Sequence, residues 1–259
     1  MNICRADKFL IGSGAALLGS GAVFGAPLGI AIPAMAFAGI MLDGIFRPGS
    51  STFYPTITRG SRQHPRVALT FDDGPDPEVT PAVLDALATA NARGTFFAIG
   101  RYLERYGNLA QRIADEHHEL GNHSWQHSYF QNFYGRSKHE ADLVRSTRII
   151  QQLTGSDRQP LYRPPVGLKS PALARVATAH KLDIVAWSLH SRDTVIRDPQ
   201  RIAAQLLRRI QAGDIVLLHD GHDREGQHRR RIVEALPLIL RGLKERGLEP
   251  VTVSEMLKC

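Results

Sequence analysis

Two adjacent carboxylates stand in the segment TFDDGP, in which Asp72 and Asp73 follow the apolar run VAL. Asp, Gly and Pro all favour turns, so this segment alone predicts only a turn at the end of a strand. Two neighbouring carboxylates can also divide two tasks. One of them can bind a metal ion while the other accepts a proton, and the charge of the metal offsets their mutual repulsion.

Two histidines stand four residues apart in GNHSWQH, a spacing that suits a metal site. His123 and His127 would share one face if this segment were helical. Two imidazoles and one carboxylate form a typical site for a divalent ion, with one position left open for water. The chain has 11 histidines, however, so a pair at this spacing also arises by chance, and the pair alone would favour surface histidines.

Polar residues also follow three further apolar runs. Arg163 stands in YRPPVG, and His219 ends IVLLH. Trp187 and Asp193 stand together in WSLHSRDT. Each residue alone has an ordinary structural explanation, such as a surface ion pair, a histidine at a strand end, a core tryptophan or a turn cap. Five clusters at five predicted strand ends favour a shared site instead.

Strands and helices must position these clusters. From Arg66 onward, apolar runs alternate with helical patterns, which predicts those strands and helices. The predicted strands are residues 66–71, 94–99, 161–163, 183–188, 214–219 and 249–253, with a further short one near 118–122. The predicted helices are residues 79–92, 101–117, 137–153, 170–180, 198–211 and 228–246. Ser170-Pro171 and Asp198-Pro199 are favourable helix starts. The alternation predicts an α/β fold with a parallel sheet, open or closed into a barrel, whose strand ends gather the chemistry on one rim.

The combined set indicates metal-assisted hydrolysis of an amide. Metal binding can lower the pKa of a water molecule from about 15.7 to about 7, and a neighbouring carboxylate can take the released proton. A histidine on the opposite side can protonate a poor leaving group such as an amine. An aspartate near that histidine would favour its protonated form, and an arginine near the base would orient it.

The sequence resembles the polysaccharide deacetylase family, carbohydrate esterase family four, whose catalytic unit is the NodB homology domain. The resemblance covers residues 66–256 and includes TFDDGP, HSWQH, RPPVG, the W…RD region and LLH in the family's order. It implies a distorted (β/α) barrel of about seven parallel strands. It also implies a hydrolase that removes acetyl groups from N-acetylated sugars, usually with zinc.

The resemblance implies roles for the residues around the metal. Asp72 would be the catalytic base, and Arg163 would steady it. Asp73, His123 and His127 would bind the metal ion. These assignments match the division of labour that two adjacent carboxylates allow.

Further roles follow from the same resemblance. His219 would be the catalytic acid, and Asp193 would support it. The backbone N–H of Val166 would help to hold the oxyanion. Leu217 would lie beside the acetyl methyl group, and Trp187 would contribute to the substrate pocket.

Two positions depart from the family's pattern, since Val166 replaces a common aromatic residue and Thr194 replaces a tryptophan. Both positions shape the substrate groove, so a smaller or lipid-linked sugar fits as well as a long polymer such as chitin. A deformylase or amidase acting on a related lipid-linked or non-sugar substrate is one alternative. A catalytically inactive glycan-binding protein on the same fold is another, although the complete set of site residues argues against it.

The N-terminal part of the chain differs from the rest, because residues Phe9 to Phe46 are almost all apolar or small. A straight helix of that length would measure about 57 Å, against about 30 Å for a hydrocarbon core. The segment therefore predicts two membrane spans that turn at GAPLG, residues 25–29. Basic residues flank both ends, which favours an inner-membrane protein with its catalytic domain on the cytoplasmic face. A signal peptide cleaved after AFA, residues 36–38, is the competing interpretation and would place the domain outside.

The predicted organisation is a membrane segment at 1–46, a linker at 47–65 and a catalytic domain at 66–259. Phe46, Phe53 and Tyr54 are expected at the membrane surface, where aromatic residues collect.

Composition excludes several other classes of protein. The formal charge of +7 and the pI of about 9.7 suggest acidic partners, but no stretch interleaves aromatic and basic residues, so we expect no nucleic-acid partner. Cys4 and Cys259 are the only cysteines, which excludes a disulfide framework and a cysteine-based metal site. Nothing in the sequence predicts an obligate protein partner.

Overall fold

The structure is a computed structural model that describes residues 5–8, 11–12 and 26–258, with residues 26–30 in backbone only. Cys4, Cys259 and most of the first predicted membrane span lie outside the described residues.

Short strands and helices alternate along the described chain. The strands are β1 (Thr56–Ile57), β2 (Arg66–Asp72), β3 (Thr95–Ala98), β4 (Glu119–Asn122), β5 (Ile184–Val185), β6 (Leu189–His190), β7 (Ile215–His219) and β8 (Glu249–Val251). The helices from residue 26 onward are α1 (Ala26–Phe46), α2 (Thr80–Thr89), α3 (Gly100–Arg105), α4 (Gly107–Asp115), α5 (Arg136–Thr154), α6 (Pro171–His180), α7 (Pro199–Arg209), α8 (Arg231–Glu245) and α9 (Val253–Leu257), with short 3₁₀ turns at Gln131–Phe133 and Pro165–Gly167.

The strands form a parallel, curved sheet. Its order is β4-β3-β2-β7-β6, and β8 pairs with the first half of β2. Tyr162 bridges β4 to β5, and β5 pairs with β1. An antiparallel bridge from Arg59 to Asp214 then brings the chain after β1 back beside the start of β7. This arrangement agrees with the predicted distorted barrel.

The central strand β2 has a different environment on each face because successive side chains point to opposite sides. One set packs against the surrounding helices and consists of Val67, Leu69 and Phe71. Ala68 packs in the other cluster with Phe97, and Thr70 and Asp72 share that face. The alternation in RVALTFD therefore aims one carboxylate into the barrel, at the end of the strand.

Most predicted elements are present, with three differences. The predicted helix 101–117 is interrupted at Tyr106, whose φ of −115° and ψ of 45° are not helical. The predicted strand 161–163 is reduced to the two bridges of Tyr162. β1, β6 and α9 were not predicted, because segments of two to five residues carry too little periodicity.

The two predicted helix starts are confirmed. The Ser170 hydroxyl accepts a hydrogen bond from the N–H of Leu173 at the start of α6. The Asp198 carboxylate accepts one from the N–H of Gln200 at the start of α7. In each case proline occupies the first helical position, where no N–H is needed.

The N-terminal region departs from the prediction. The part of the predicted turn that the structure describes, residues 26–29, is helical, because it belongs to α1, which also continues through Pro33. None of the helices among the described residues is both long and apolar enough to cross a membrane.

The expected membrane contacts of Phe53 and Tyr54 are wrong. Phe53 is 1% exposed and packs beside Met41 and Ile45 of α1. The Tyr54 hydroxyl donates to the carbonyl of Leu182 at 2.9 Å. Phe53 is buried and Tyr54 is half-buried against protein, because α1 and α6 supply the apolar surface that the prediction assigned to lipid. The predicted linker thus contains β1 and packs on the barrel.

A buried lysine ties the end of α1 to the barrel. The Lys169 ammonium donates to the carbonyls of Arg47 and Pro48, and burial lowers the pKa of Lys169 to about 8. Gly167 lies against Pro48, and a Cβ atom there would come within 2.8 Å of the proline ring. The turn that carries Val166 is therefore in contact with the chain that follows α1.

Candidate active site

The carboxyl ends of the parallel strands bring the predicted residues to one rim. Asp72 ends β2 and lies opposite His219 of β7 in the register of the two strands. His123 directly follows β4, and the carbonyl of Asn122, the last residue of β4, accepts a hydrogen bond from the N–H of Arg163. The neighbourhood that the sequence pattern predicted is thus formed by strand pairing.

Asp73, His123 and His127 form a buried triad whose ligand atoms all lie within 4.8 Å of one another. Asp73 Oδ1 is 3.2 Å from Nε2 of His127 and 3.6 Å from Nε2 of His123. Ligands bound at about 2.0–2.1 Å in a tetrahedral zinc site lie about 3.3 Å apart, so these separations fit a shared metal ion. Asp73 Oδ1 is buried and has no hydrogen-bond partner in the described chain, as expected for an atom reserved for a metal.

The two histidines do not share a helix face. Residues 123–127 form a loop after β4, and His127 adopts a positive φ of 52°. Asp73 also has a positive φ, 74°, and its carboxylate approaches the same His123 nitrogen that Asp72 faces. The triad is therefore assembled by left-handed loop conformations and not by helical spacing.

A buried hydrogen bond fixes the ring of His123. Its Nδ1 donates to the carbonyl of Arg163 at 2.7 Å, which leaves Nε2 without a proton and directed at Asp73. Burial lowers the pKa of His123 to about 4. The ring is consequently neutral near pH 7, and the neutral ring is the form that binds metal.

Arg163 is fully buried and holds Asp72. Its Nη1 donates to Asp72 Oδ1 and to the hydroxyl of Thr70, both at 2.7 Å. Its guanidinium carbon lies 4.0 Å from the centre of the Phe97 ring. Asp72 Oδ2 is left facing the triad, 3.7 Å from His123 Nε2. One oxygen of Asp72 is therefore bound by the arginine while the other faces the triad.

His219 and Asp193 form a second buried pair. Asp193 accepts a hydrogen bond from His219 Nδ1 at 3.0 Å and another from the His219 N–H at 2.8 Å. Burial disfavours the charged ring, but the charge and hydrogen bond of Asp193 outweigh burial and raise the pKa of His219 to about 9. The same contacts, together with the Ser191 hydroxyl, hold the pKa of Asp193 below its ordinary value despite burial.

The three predicted substrate residues differ in their exposure. Val166 has a positive φ of 49° and is 44% exposed. Trp187 is half-buried, with its ring centre 5.7 Å from the guanidinium carbon of Arg163. Leu217 is buried on β7 and is paired with His190 in the register.

Comparison with known proteins decides the family. The polysaccharide deacetylase profile matches residues 59–185. A peptidoglycan-N-acetylglucosamine deacetylase of Bacillus cereus is 38% identical over 195 residues, which are 74% of this chain and 88% of that protein. This chain belongs to the polysaccharide deacetylase family.

Two further relatives agree with this membership. A chitooligosaccharide deacetylase of Sinorhizobium fredii is 32% identical over 198 residues, 74% of this chain and 92% of that protein. The crystal structure of a peptidoglycan N-acetylglucosamine deacetylase with 4-naphthalen-1-yl-N-oxidanyl-benzamide superposes with a TM-score of 0.73, at 32% identity, covering 78% of this chain and 92% of that one. The protein is therefore a metal-dependent deacetylase, a hydrolase that acts on the N-acetyl carbon–nitrogen bond of an amino sugar.

The sequence motifs of this deacetylase do not include one buried carboxylate of the site, that of Asp220. Asp220 accepts a hydrogen bond from the Thr80 hydroxyl at 2.6 Å, and burial raises the pKa of Asp220 to about 7. A Cβ atom at Gly74 would lie 2.2 Å from the Asp220 carboxylate, which explains why glycine follows the two aspartates. In the sequence, only its position next to His219 in LLHD could have pointed to Asp220 as a site residue.

Two more residues of the rim were not predicted. The ring centre of His190 lies 6.2 Å from that of His219, and burial lowers the pKa of His190. Asp223 lies beside His127, with 3.9 Å between its Oδ2 and the Nδ1 of the ring. His190 stands inside the WSLHSRD motif, which could have identified it, whereas Asp223 lies in a loop without a motif.

Proposed function

We propose that this deacetylase removes acetyl groups from N-acetylglucosamine residues of peptidoglycan. The observation that carries the proposal is a single rim on which three buried units meet: a carboxylate held by an arginine, a histidine held by a carboxylate, and the Asp-His-His triad. The similarity to the Bacillus cereus enzyme supports the choice of glycan.

The triad residues Asp73, His123 and His127 are proposed to hold a divalent ion. Zinc suits two imidazoles and one carboxylate in tetrahedral geometry. When bound, the ion would polarise the amide carbonyl and make a water molecule more acidic.

Asp72 is proposed as the catalytic base. Arg163 holds its Oδ1 at 2.7 Å, so the carboxylate keeps a fixed orientation and a compensated charge. Its Oδ2 faces the triad and is placed to take the proton of an attacking water molecule. The adjacent carboxylates are thus used differently, one as a ligand and the other as a base.

His219 is proposed as the catalytic acid. The bond from its Nδ1 to Asp193 leaves Nε2 to carry the proton that the leaving amine needs. A pKa of about 9 keeps this proton on the ring at neutral pH. The N–H of Val166 is proposed to bind the oxyanion, while Leu217 and Trp187 enclose the acetyl group.

An exposed aromatic group beside the triad supports an extended glycan as substrate. This aromatic lip consists of Tyr129, Phe130 and Phe133, which are 52%, 72% and 86% exposed. The Tyr129 ring centre lies 5.6 Å from that of the triad residue His127. Exposed apolar groups of this kind mark binding surfaces, and the apolar faces of sugar rings stack on aromatic rings.

The aromatic lip is held from beneath. The Gln131 side chain donates to the buried Tyr162 hydroxyl at 2.7 Å. Phe130 and Phe133 are three residues apart across the 3₁₀ turn, so they project on one side. A glycan chain longer than one sugar would therefore find an apolar surface that starts at the triad, where Tyr129 contacts His127.

The substrate can be tested by measuring acetate release with zinc added back to metal-free protein. Peptidoglycan fragments, chitooligosaccharides and lipid-linked amino sugars are compared as substrates. We expect the highest kcat/KM with peptidoglycan fragments. A higher value for another class would replace the proposed substrate, and no release from any of the three would contradict the deacetylase assignment.

We propose that the N-terminal segment holds the enzyme at a membrane and that the catalytic domain acts outside it, which is the alternative to the cytoplasmic face favoured by the basic flanking residues. Exposed apolar residues of α1 support the first point: Ile32, Met35, Ile40, Leu42 and Phe46. A peptidoglycan substrate supports the second, because the assembled polymer lies outside the cytoplasm. Membrane fractionation and a reporter that works only outside the cytoplasm, fused after Cys259, test both. A silent reporter would favour the cytoplasmic face and a lipid-linked sugar.

A further inference from the structure

Nδ1 of His127, the ring nitrogen that faces away from Asp73, lacks the hydrogen-bond partner that Nδ1 of His123 has. Nε2 of His127 faces Asp73, whereas Nδ1 is buried and makes no hydrogen bond within the described residues. In His123 the corresponding Nδ1 donates to the Arg163 carbonyl at 2.7 Å. A histidine that binds metal through one nitrogen usually donates the N–H of the other to an oxygen, which fixes the tautomer and the ring orientation.

One carboxylate lies within reach of this nitrogen. Asp223 Oδ2 is 3.9 Å from His127 Nδ1, about 1 Å beyond hydrogen-bonding distance. Asp223 is 9% exposed, so little water competes for its oxygens. Its other oxygen, Oδ1, lies 2.9 Å from Nδ1 of His222.

The loop that carries Asp223 is fixed to α3. The Arg101 guanidinium donates to the carbonyl of Asp223, and the Tyr102 hydroxyl donates to the carbonyl of His222 at 3.2 Å. The Asp223 backbone is therefore held beside the triad, so the remaining approach to His127 has to come from the side chains.

Tyr129 completes the surroundings of the ring. Its ring meets that of His127 edge to face, with the ring centres 5.6 Å apart and an angle of 87° between the ring planes. His127 consequently has Asp73 on one side, Asp223 at the opposite nitrogen and Tyr129 against its ring.

We propose that Asp223 is a positioning residue that accepts the Nδ1–H of His127 when the triad binds its metal ion. The inference rests on the proposed metal-binding role of His127. The hydrogen bond would keep the Nε2 lone pair directed at the metal and make the ring a stronger ligand. Asp223 would act only through His127, without touching the substrate or the reacting atoms.

Zinc affinity provides the test. Isothermal titration of zinc into the metal-free full-length protein is compared for the wild type, Asp223→Asn and Glu225→Gln. Glu225 is the matched control, because it is a carboxylate of the same loop that pairs with Arg105 at 2.5 Å. We expect Asp223→Asn to weaken zinc binding about 10- to 100-fold, with Glu225→Gln unchanged.

A spectroscopic readout separates positioning from a general loss of structure. In the zinc-loaded wild type, the Nδ1 proton of His127 should give a low-field NMR signal typical of a strong hydrogen bond. The signal should shift upfield or disappear in Asp223→Asn, while that of His123 persists. Unchanged thermal unfolding of the metal-free variant would exclude a folding defect as the cause.

Two results would overturn the inference, and they differ in what else they affect. If His127→Ala loses zinc but Asp223→Asn binds it as tightly as the wild type, Asp223 has no positioning role and the metal site stands. If His127→Ala itself binds zinc with wild-type affinity, the proposed metal site fails and the role of Asp223 fails with it.

Discussion

The inner wall of the active site and its aromatic lip are built from opposite kinds of side chain. The inner wall is polar and almost wholly buried, and consists of Asp72, Asp73, His123, His127, Arg163, Asp193 and His219. The aromatic lip is exposed and apolar. Each arrangement opposes the usual preference of side chains for water or the interior, so each needs a compensating interaction.

The compensation differs between the two regions. In the inner wall it is internal, because Arg163 pairs with Asp72 and Asp193 pairs with His219. In the lip, the described chain covers neither Phe130 nor Phe133, so the compensation is expected from the substrate. We therefore expect inner-wall variants to change kcat and stability, and lip variants to change KM.

The largest effect should follow removal of the proposed base. Asp72→Asn keeps the shape of the side chain and the triad, so zinc should remain bound while kcat falls on the order of 10²- to 10⁴-fold. Acetate release and metal content by mass spectrometry measure the two quantities. Asp85→Asn, the same change at an exposed residue, is the control. Near-normal activity of Asp72→Asn would show that the proposed division between the two aspartates is wrong.

The next effect depends on the leaving group. His219→Ala should lower kcat on amide substrates on the order of 10²-fold, because an amine leaves only after protonation. Activated esters, whose leaving groups need little protonation, should be affected much less. Equal losses on both substrates would give His219 a binding role instead.

A stability test addresses the buried pairing of the inner wall. Arg163→Met leaves the Asp72 carboxylate buried without its partner, which should lower the free energy of unfolding by about 3–5 kcal/mol. Urea unfolding of the metal-free protein measures the difference. The control is Arg145→Met, at an exposed arginine over the Trp125 ring, with an expected change of about 0–1 kcal/mol. Equal changes in the free energy of unfolding of both variants would show that the buried pair stabilises the protein no more than an exposed one does.

The pH dependence tests the second pair. The proposed acid works when protonated, so kcat should fall as the pH rises through the raised pKa of His219, about 9. Asp193→Asn removes the charge that raises this pKa. The alkaline limb of the plot of kcat against pH should therefore move towards neutral pH. An alkaline limb at the same pH in both proteins would mean that another group controls it.

The smallest effect is expected at the lip. Phe130→Ala and Phe133→Ala should raise KM several-fold on long glycan fragments, with little change in kcat or on the shortest substrates. Leu257→Ala, at an exposed residue of α9, is the control. If both lip variants bind anionic lipid vesicles less well but keep the wild-type KM, the lip contacts a membrane and not the glycan.

The sequence by itself determined the elements and the identities of most site residues. The apolar runs predicted β2, β3, β4, β7 and β8 to within one or two residues, because side-chain periodicity is a local property. The strand-end rule placed the predicted polar residues on one rim, since all the named strands of this sheet are parallel.

The tertiary structure alone decided how those residues meet. Asp193 pairs with His219 across 26 positions, and Arg163 with Asp72 across 91, and no local pattern encodes such pairings. His127 reaches Asp73 through a left-handed loop conformation, not through helical spacing. Phe53 has the composition of a membrane contact but is buried against α1. Burial depends on what the rest of the chain places nearby, and that surface exists only after folding.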